Sequence, residues 1–161
     1  MTMTTSKTAS TIEARPLFVL DVVLDRPQVM EETPYGMRKI VPVLGGTFSG
    51  ERLGGVILPG GGHDWAMTRG DGALVLDVRL VLETDDGAHI MMTYRGIRTG
   101  APEVLARIAA GEHVDPTEYY FRIIPFFETG SQKYGWLNRI VCVCFGDRVK
   151  SGPRYTVHEV L

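Results

Sequence analysis

A few polar side chains stand inside otherwise apolar segments of the sequence, and these residues have the chemistry of acid–base catalysts. Asp64 and Glu128 are carboxylates, which can accept or donate a proton. Tyr94 and Tyr120 are phenols that can assist proton transfer as hydrogen-bond donors. The sequence therefore predicts these four residues as candidate catalytic groups.

A second set of residues is suited to bind a small molecule. Arg122 and Asn138 can hold an oxyanion or a carboxylate, and three aromatic side chains can form apolar walls, namely Trp65, Phe126 and Trp136. Alternation along two predicted strands places Arg122 and Asn138 on faces that we expect to look into one cavity. The alternative is that Arg122, like Asp77 and Arg79, is a solvated outward residue or part of a structural ion pair.

The sequence contains no short motif for a metal or a phosphate group. The glycine-rich stretch from Gly54 to Gly62 lacks the Gly-Lys-Ser/Thr ending of a phosphate-binding loop and reads as a turn. The histidines have no metal-binding spacing: His63, His89, His113 and His158. We therefore predict chemistry that needs neither a metal nor a cofactor.

The elements that must position these residues are mostly short strands. Nineteen glycines and nine prolines divide the chain into segments rich in Val, Ile, Leu, Phe and Tyr. The pattern predicts strands at 17–24, 38–49, 52–58, 64–69, 73–83, 88–98, 119–128, 136–145 and 154–160. One helix is predicted at 102–110, where Pro102 suits the first turn and Gly111 the end. The fold class is therefore all-β, an antiparallel closed β-barrel of about 8–10 strands with one short α-helix.

The predicted strand 73–83 has one wholly apolar face, which consists of Leu74, Leu76, Val78, Leu80 and Leu82. Asp77 and Arg79 lie on the opposite face. If the charged face lines the lumen, the leucine face lies outside and needs a partner, which predicts a homodimer or higher homo-oligomer. If the leucine face instead fills the core, a monomer suffices.

Composition limits the classes of protein. A chain of 161 residues fits one domain, and we assign residues 15–161 to the barrel and residues 1–14 to a flexible tail. A net charge of -2 does not favour nucleic acid as a partner, and no apolar run reaches the roughly 20 residues of a membrane helix. The tail lacks the apolar core of a secretory signal, and Cys142 and Cys144 read as free buried thiols, so the cytoplasm is the expected location.

Seven segments in a fixed order resemble one family. They are GGTF from Gly45, PGGGHDW from Pro59, DDG from Asp85, YRG from Tyr94, EYYFR from Glu118, FETG from Phe127 and YGWLN from Tyr134. Together they resemble the DUF3237 (UPF0311) family of uncharacterised small proteins, over residues 16–160. The resemblance implies an all-β, barrel-like fold and supplies no catalytic residues.

The leading hypothesis is a barrel that binds an apolar, aromatic small molecule. Such a barrel can act as a cofactor-independent isomerase, cyclase or lyase through acid–base chemistry, with Asp64 or Glu128 moving the proton. The alternative is a ligand-binding or structural module without chemistry, in which the same polar residues only connect strands.

Overall fold

A computed structural model describes residues 11–161 of the chain. It contains ten strands, one α-helix and two short 3₁₀ helices. The strands are β1 (Ala14–Leu24), β2 (Gln28–Thr33), β3 (Gly36–Ser49), β4 (Gly54–Ile57), β5 (Gly62–Thr68), β6 (Leu74–Thr84), β7 (His89–Gly100), β8 (Tyr119–Glu128), β9 (Cys142–Val149) and β10 (Gly152–Val160). The helix α1 spans Pro102–Ala109, and the 3₁₀ helices span Pro116–Glu118 and Gly135–Arg139.

The strands form a closed antiparallel barrel, as the sequence predicts. From β6 to β10 each strand pairs with the next along the chain, β10 pairs with β1, and β1 pairs with β3. Strands β4 and β5 follow one another between β3 and β6, so the barrel has eight strand positions. Strand β2, which the sequence analysis missed, continues the line of β1 beside β3.

The leucine face of β6 lies inside the barrel. Leu76, Val78, Leu80 and Leu82 are at most 4% exposed and belong to the hydrophobic core. Asp77 and Arg79 lie on the outer face, where Asp77 forms an ion pair with Arg95 of β7. A charged lumen formed by Asp77 and Arg79 is therefore a wrong expectation, because the closed barrel needs the leucines to fill its interior.

One end of the barrel, the capped end, is covered by the 3₁₀ helix Gly135–Arg139. Leu137 of this helix is 1% exposed and joins the core. The predicted strand 136–145 is therefore wrong in its first half, and β9 begins only at Cys142. Bulky residues alternate in this segment as they do in a strand. The segment is instead part of the connection that leads from β8 across the capped end to β9.

The opposite end, the polar end, carries the turn between β9 and β10 and the connection through α1. Inward positions here remain partly exposed, including Arg98 of β7 and Arg148 of β9. Arg98 lies directly opposite the buried Phe121, and Arg148 lies opposite the buried Pro153, so both side chains share the inner face. The polar end therefore carries two partly exposed arginines on the inner face of the barrel.

The predicted tail lies largely in residues 1–10, outside the described residues, and β1 begins at Ala14. None of the helices within residues 11–161 has the length and apolar character needed to cross a membrane.

Close packing inside the barrel predicts a steric test at Gly146. A Cβ at this position would lie 2.5 Å from the ring of Phe121. We expect Gly146→Ala to lower the free energy of unfolding by about 1–3 kcal/mol, measured by urea denaturation. A Cβ at Gly130 meets nothing within 4 Å, so Gly130→Ala is the control and should change stability by less than about 0.5 kcal/mol. Equal stability of both variants would contradict this packing.

Candidate functional site

Asp64 is a buried carboxylate inside the barrel. It lies on β5 opposite the buried Val78, and the residue is 7% exposed. The backbone N–H of Asp77 donates a hydrogen bond to Oδ1 of Asp64 over 3.3 Å. Burial raises the pKa of Asp64 from 3.8 to about 7, and this effect outweighs the lowering by the Asp77 hydrogen bond and the Arg98 charge. Near neutral pH the group is therefore able both to give and to take a proton.

Two tyrosines lie beside Asp64 in the interior. Tyr94 of β7 is 4% exposed and Tyr155 of β10 is fully buried, and their rings meet edge to face with centroids 5.4 Å apart. Burial raises the pKa of each phenol above its ordinary value, and the charge of Asp64 raises it further. Both tyrosines are therefore neutral hydroxyl groups, suited to hydrogen bonding rather than to proton abstraction.

Two arginines continue this polar lining toward the polar end. Arg98 lies four residues after Tyr94 on the same face of β7, and its guanidinium carbon is 5.8 Å from the ring centroid of Phe121. Burial lowers the pKa of Arg98, and the neighbouring positive charge of Arg148 lowers it further. Burial also lowers the pKa of Arg148. Two cations therefore share the inner face with one carboxylate that is only partly ionised at neutral pH.

The hydrogen bonding of these groups is incomplete. Within residues 11–161, two buried side-chain polar atoms lack a hydrogen-bond partner, namely Nε of Arg98 and the hydroxyl oxygen of Tyr155. Buried polar atoms are nearly always satisfied in folded proteins, and each exception calls for a physical explanation. Because both exceptions fall in one place, we identify Asp64, Tyr94, Arg98, Arg148 and Tyr155 as the candidate site and refer to them as the interior polar cluster.

The structure brings together Asp64 and Tyr94, which the sequence analysis singled out as catalytic candidates. The other proposed acid–base pair, Glu128 and Tyr120, lies on the exposed outer face of β8. Phe126 on the same face is 54% exposed, and Trp65 on the outer face of β5 is 45% exposed. These residues therefore do not line the interior with Asp64.

Arg122 also points away from the lumen. Its guanidinium stacks over the rings of Tyr120 and Phe145, at 5.0 and 4.2 Å from their centroids, and Nη1 donates to the carbonyl of Phe121. The inward side of β8 is taken by Tyr119, Phe121 and Ile123. The expectation that Arg122 and Asn138 face one cavity is therefore wrong, because the opposite parity of β8 faces the core.

Asn138 and Trp136 have structural contacts in the 3₁₀ helix of the capped end. The Asn138 side chain accepts a hydrogen bond from the backbone N–H of Thr129 and donates one to the Thr129 carbonyl, both at 2.9 Å. Trp136 packs beneath the guanidinium of Arg52, which lies 3.5 Å from its ring centroid. Both residues thus secure the connection that covers this end.

Sequence reasoning missed Arg98, Arg148 and Tyr155. For Arg98 a signal existed, because Tyr94, Gly96 and Arg98 share one strand face, and Tyr94 was already a candidate. Arg148 and Tyr155 gave no comparable signal. Their convergence depends on the register of β9 with β10, which pairs Gly146 with Tyr155.

Comparison with known proteins gives a matching family and similar proteins. The sequence pattern of a family described as protein of unknown function (DUF3237) matches residues 12–160. A UPF0311 protein of Clostridium acetobutylicum is 38% identical over 134 residues, which cover 83% of this chain and 84% of the relative.

Solved structures agree with the barrel. The crystal structure of a conserved protein of unknown function from Rhodopseudomonas palustris has a TM-score of 0.91 at 35% identity, covering 95% of this chain and 100% of that protein. A protein from Penicillium herquei, described as an enzyme, has a TM-score of 0.71 at 16% identity, covering 97% and 99% of the two chains. At that identity the second likeness shows the fold alone.

The raised pKa of Asp64 predicts a pH-dependent stability. An aspartate that titrates near 3.8 when unfolded and near 7 when folded favours the folded state at low pH. This contribution is complete below pH 4 and is lost as the pH rises through 7, a loss of a few kcal/mol. We expect Asp64→Asn to flatten the fall in unfolding free energy between pH 4 and 7, measured by urea denaturation. Asp71→Asn, at an exposed loop carboxylate, should retain the fall; a fall retained in both variants would contradict the burial of an ionisable Asp64.

Proposed function

The chain belongs to the DUF3237 family of proteins of unknown function, and we propose that it binds a small aromatic molecule in its barrel and catalyses a cofactor-independent proton transfer on it. The observation that supports this proposal is the interior polar cluster. A carboxyl group with a pKa of about 7 lies there beside the two unpartnered polar atoms of Arg98 and Tyr155. Perturbed carboxyl groups beside unsatisfied donors are typical of acid–base sites.

Asp64 is the group that we propose to move the proton. In its ionised form, Oδ2 takes a proton from a carbon next to a carbonyl group of the ligand, and the C–H bonding pair forms an enolate. In its neutral form, the same carboxyl returns the proton to another atom of the ligand. The sum of the two steps is an isomerisation; with expulsion or capture of an internal oxygen it is an elimination or a cyclisation.

The negative charge that develops on the enolate oxygen needs stabilisation. The hydroxyl of Tyr155 has no hydrogen-bond partner of normal geometry, although the Tyr94 phenol lies close enough to affect its pKa, and it can turn to donate to the enolate oxygen. The guanidinium of Arg98 supplies positive charge at the same face. Such groups act strongly when they are held in place away from water, because they need no reorganisation during the reaction.

An aromatic ligand body suits the surrounding surface. The rings of Phe121, Tyr94 and Tyr155 meet edge to face, with centroids 5.4 Å apart in each pair that includes Tyr155. Aromatic edges favour contact with the face of another planar ring. The Penicillium herquei protein of the same fold is described as an enzyme, which supports a catalytic use of this barrel shape.

The keto–enol tautomerisation of benzoylacetone tests proton transfer directly. We expect the protein to accelerate this reaction, followed by ultraviolet absorbance, and Asp64→Asn to reduce the acceleration by about 100- to 10,000-fold. Tyr155→Phe should retain part of the activity, because it removes one hydrogen bond but not the base. Between pH 6 and 8 the abstraction rate should rise as Asp64 ionises.

Glu128→Gln is the matched control, since Glu128 is exposed on the outer face of β8. It should leave the rate unchanged. Binding of benzoylacetone without acceleration would favour the non-catalytic ligand-binding module over the enzyme. Acceleration that survives in Asp64→Asn would refute the role of Asp64.

Burial of the leucine face of β6 removes the sequence-based reason for an oligomer. On a different ground, we propose that the chain forms a homo-oligomer through the outer face of β7 and β8. Exposed apolar side chains cluster there, including Ile97, Ile124 and Phe126, which are 38–54% exposed. A shallow groove beside them also contains charges of both signs, from Asp77, Arg79 and Arg95. A two-fold axis would place the acidic side chain of one copy against the basic side chains of the other. This charge complementarity favours a second copy as the partner.

Light scattering at micromolar concentration tests this assembly. We expect a mass that is a multiple of the 17.8 kDa chain, and Ile124→Glu should convert it to the single-chain mass. Val56→Glu is the control, because Val56 is an exposed apolar residue on β4, away from the proposed face. A wild-type mass of 17.8 kDa would refute the oligomer.

A further inference from the structure

The charge balance of the lumen is the feature that identifies a class of ligand. Arg98 lies on β7 and Arg148 on β9, on either side of β8. Both side chains point to the inner face, and the positive charge of Arg148 contributes to the lowered pKa of Arg98, after the larger effect of burial. Two like charges are thus held together in a partly buried place, where each is costly without a counter-ion.

Neither arginine has an ionic partner of its own. Within residues 11–161, the salt bridges of other arginines involve Arg15, Arg52, Arg69, Arg95, Arg107 and Arg154. The Arg148 side chain donates to the carbonyl of Val149, over 3.3 Å, and Nε of Arg98 is unpartnered. Asp64 offsets this charge only in part, because its burial keeps much of it protonated at neutral pH.

The neighbouring residues Tyr119 and Tyr155 differ in their remaining hydrogen-bonding capacity. The hydroxyl of Tyr119 accepts from the backbone N–H of Arg148 at 2.9 Å and donates to Asp147 at 3.3 Å, so its hydrogen-bonding capacity is used. The hydroxyl of Tyr155 has no hydrogen-bond partner of normal geometry, although the Tyr94 phenol lies next to it. An anion between the arginines would therefore meet the open donors of Arg98, Arg148 and Tyr155.

We propose that Arg98 and Arg148 form an anion subsite at the polar end of the lumen, and that the natural ligand is a small aromatic carboxylic acid whose carboxylate binds there. A carboxylate matches the planar fork of an arginine and takes two parallel N–H···O bonds. The buried ring of Phe121, with its centroid 5.8 Å from the Arg98 guanidinium carbon, makes the adjoining interior apolar. The proposal places its ligand in the site described above, and it rests on binding alone, independent of any proton transfer.

Benzoate is the probe for this subsite, and benzamide is its uncharged counterpart. In titration calorimetry, we expect benzoate to bind the wild-type protein at least about tenfold more tightly than benzamide. Arg98→Met and Arg148→Met should each weaken benzoate binding by about tenfold or more and leave benzamide binding unchanged. Arg98→Lys should give an intermediate loss, since it keeps the charge but not the fork.

Arg95→Met is the matched control on the same strand. Arg95 points outward, and its side chain is 81% exposed and paired with Asp77. Its loss should change benzoate binding by less than about twofold. Equal affinity of the wild type for benzoate and benzamide, or benzoate binding that survives in Arg98→Met, would overturn the subsite.

Thermal unfolding separates a binding role from a structural one. Because Arg98 has a buried, unpartnered Nε and no ionic partner, we expect Arg98→Met to melt at or above the wild-type temperature. A melting temperature well below that of the wild type would assign Arg98 a structural role instead and overturn the proposal.

Asp64→Asn distinguishes failure of this subsite from failure of the proposed catalysis. It should abolish benzoylacetone tautomerisation while keeping or tightening benzoate binding, because it removes a carboxylate that repels the probe. Arginine-dependent benzoate binding without tautomerisation would support the subsite and reject the enzyme. The reverse result would reject the subsite and support the enzyme.

Discussion

Closure of the sheet through the pairing of β1 with β3 is the constraint on which the rest of this structure depends. Once the sheet closes, each strand position faces either a lumen or the outside, and side chains alternate between the two. The register then decides the composition of the lumen. It places Asp64, Tyr94 and Tyr155, from three different strands, within electrostatic reach of one another.

The lumen has an apolar half toward the capped end and a polar half toward the opposite end. Toward the capped end it holds mostly core side chains such as Leu82, Ile90 and Leu137, each at most 1% exposed, and its buried carboxylate, Glu159, is paired with Arg15 and Arg52. This apolar half favours folding, because its surface is removed from water. The polar half contains groups whose burial is unfavourable, and the apolar half compensates for them. A site with unsatisfied donors is tolerated because the remainder of the barrel is well packed.

Local patterns in the sequence predict much of the architecture. The alternation of β6, the Asp-Gly turn before β7 and the proline at the start of α1 are signals of neighbouring residues, and each corresponds to the predicted type of element. The first half of the predicted strand 136–145 fails, since alternation also occurs in the 3₁₀ helix Gly135–Arg139. A short irregular connection carries no periodic signal of its own.

The candidate site is less predictable, because it depends on which face of each strand turns inward. Asp64 and Glu128 are both carboxylates in apolar strands, and composition gives no reason to prefer either. Strand pairing determines which carboxylate faces inward, since Asp64 lies opposite the buried Val78 whereas Glu128 lies opposite the exposed Met91. Such pairing joins residues far apart in the chain, so only the closed barrel determines it.

The proposed anion subsite and Asp64, the proposed proton carrier, are linked through one electrostatic interaction. The charge of Arg98 lowers the pKa of Asp64, in opposition to the larger effect of burial. A carboxylate bound at Arg98 adds a negative charge that offsets that of the guanidinium, and this change raises the pKa of Asp64 further. By linkage, binding of the anion and protonation of Asp64 then favour each other. An acidic ligand would thus raise the pH at which Asp64 ionises, so the proton abstraction that begins the proposed isomerisation would need a higher pH with an anionic ligand than with a neutral one.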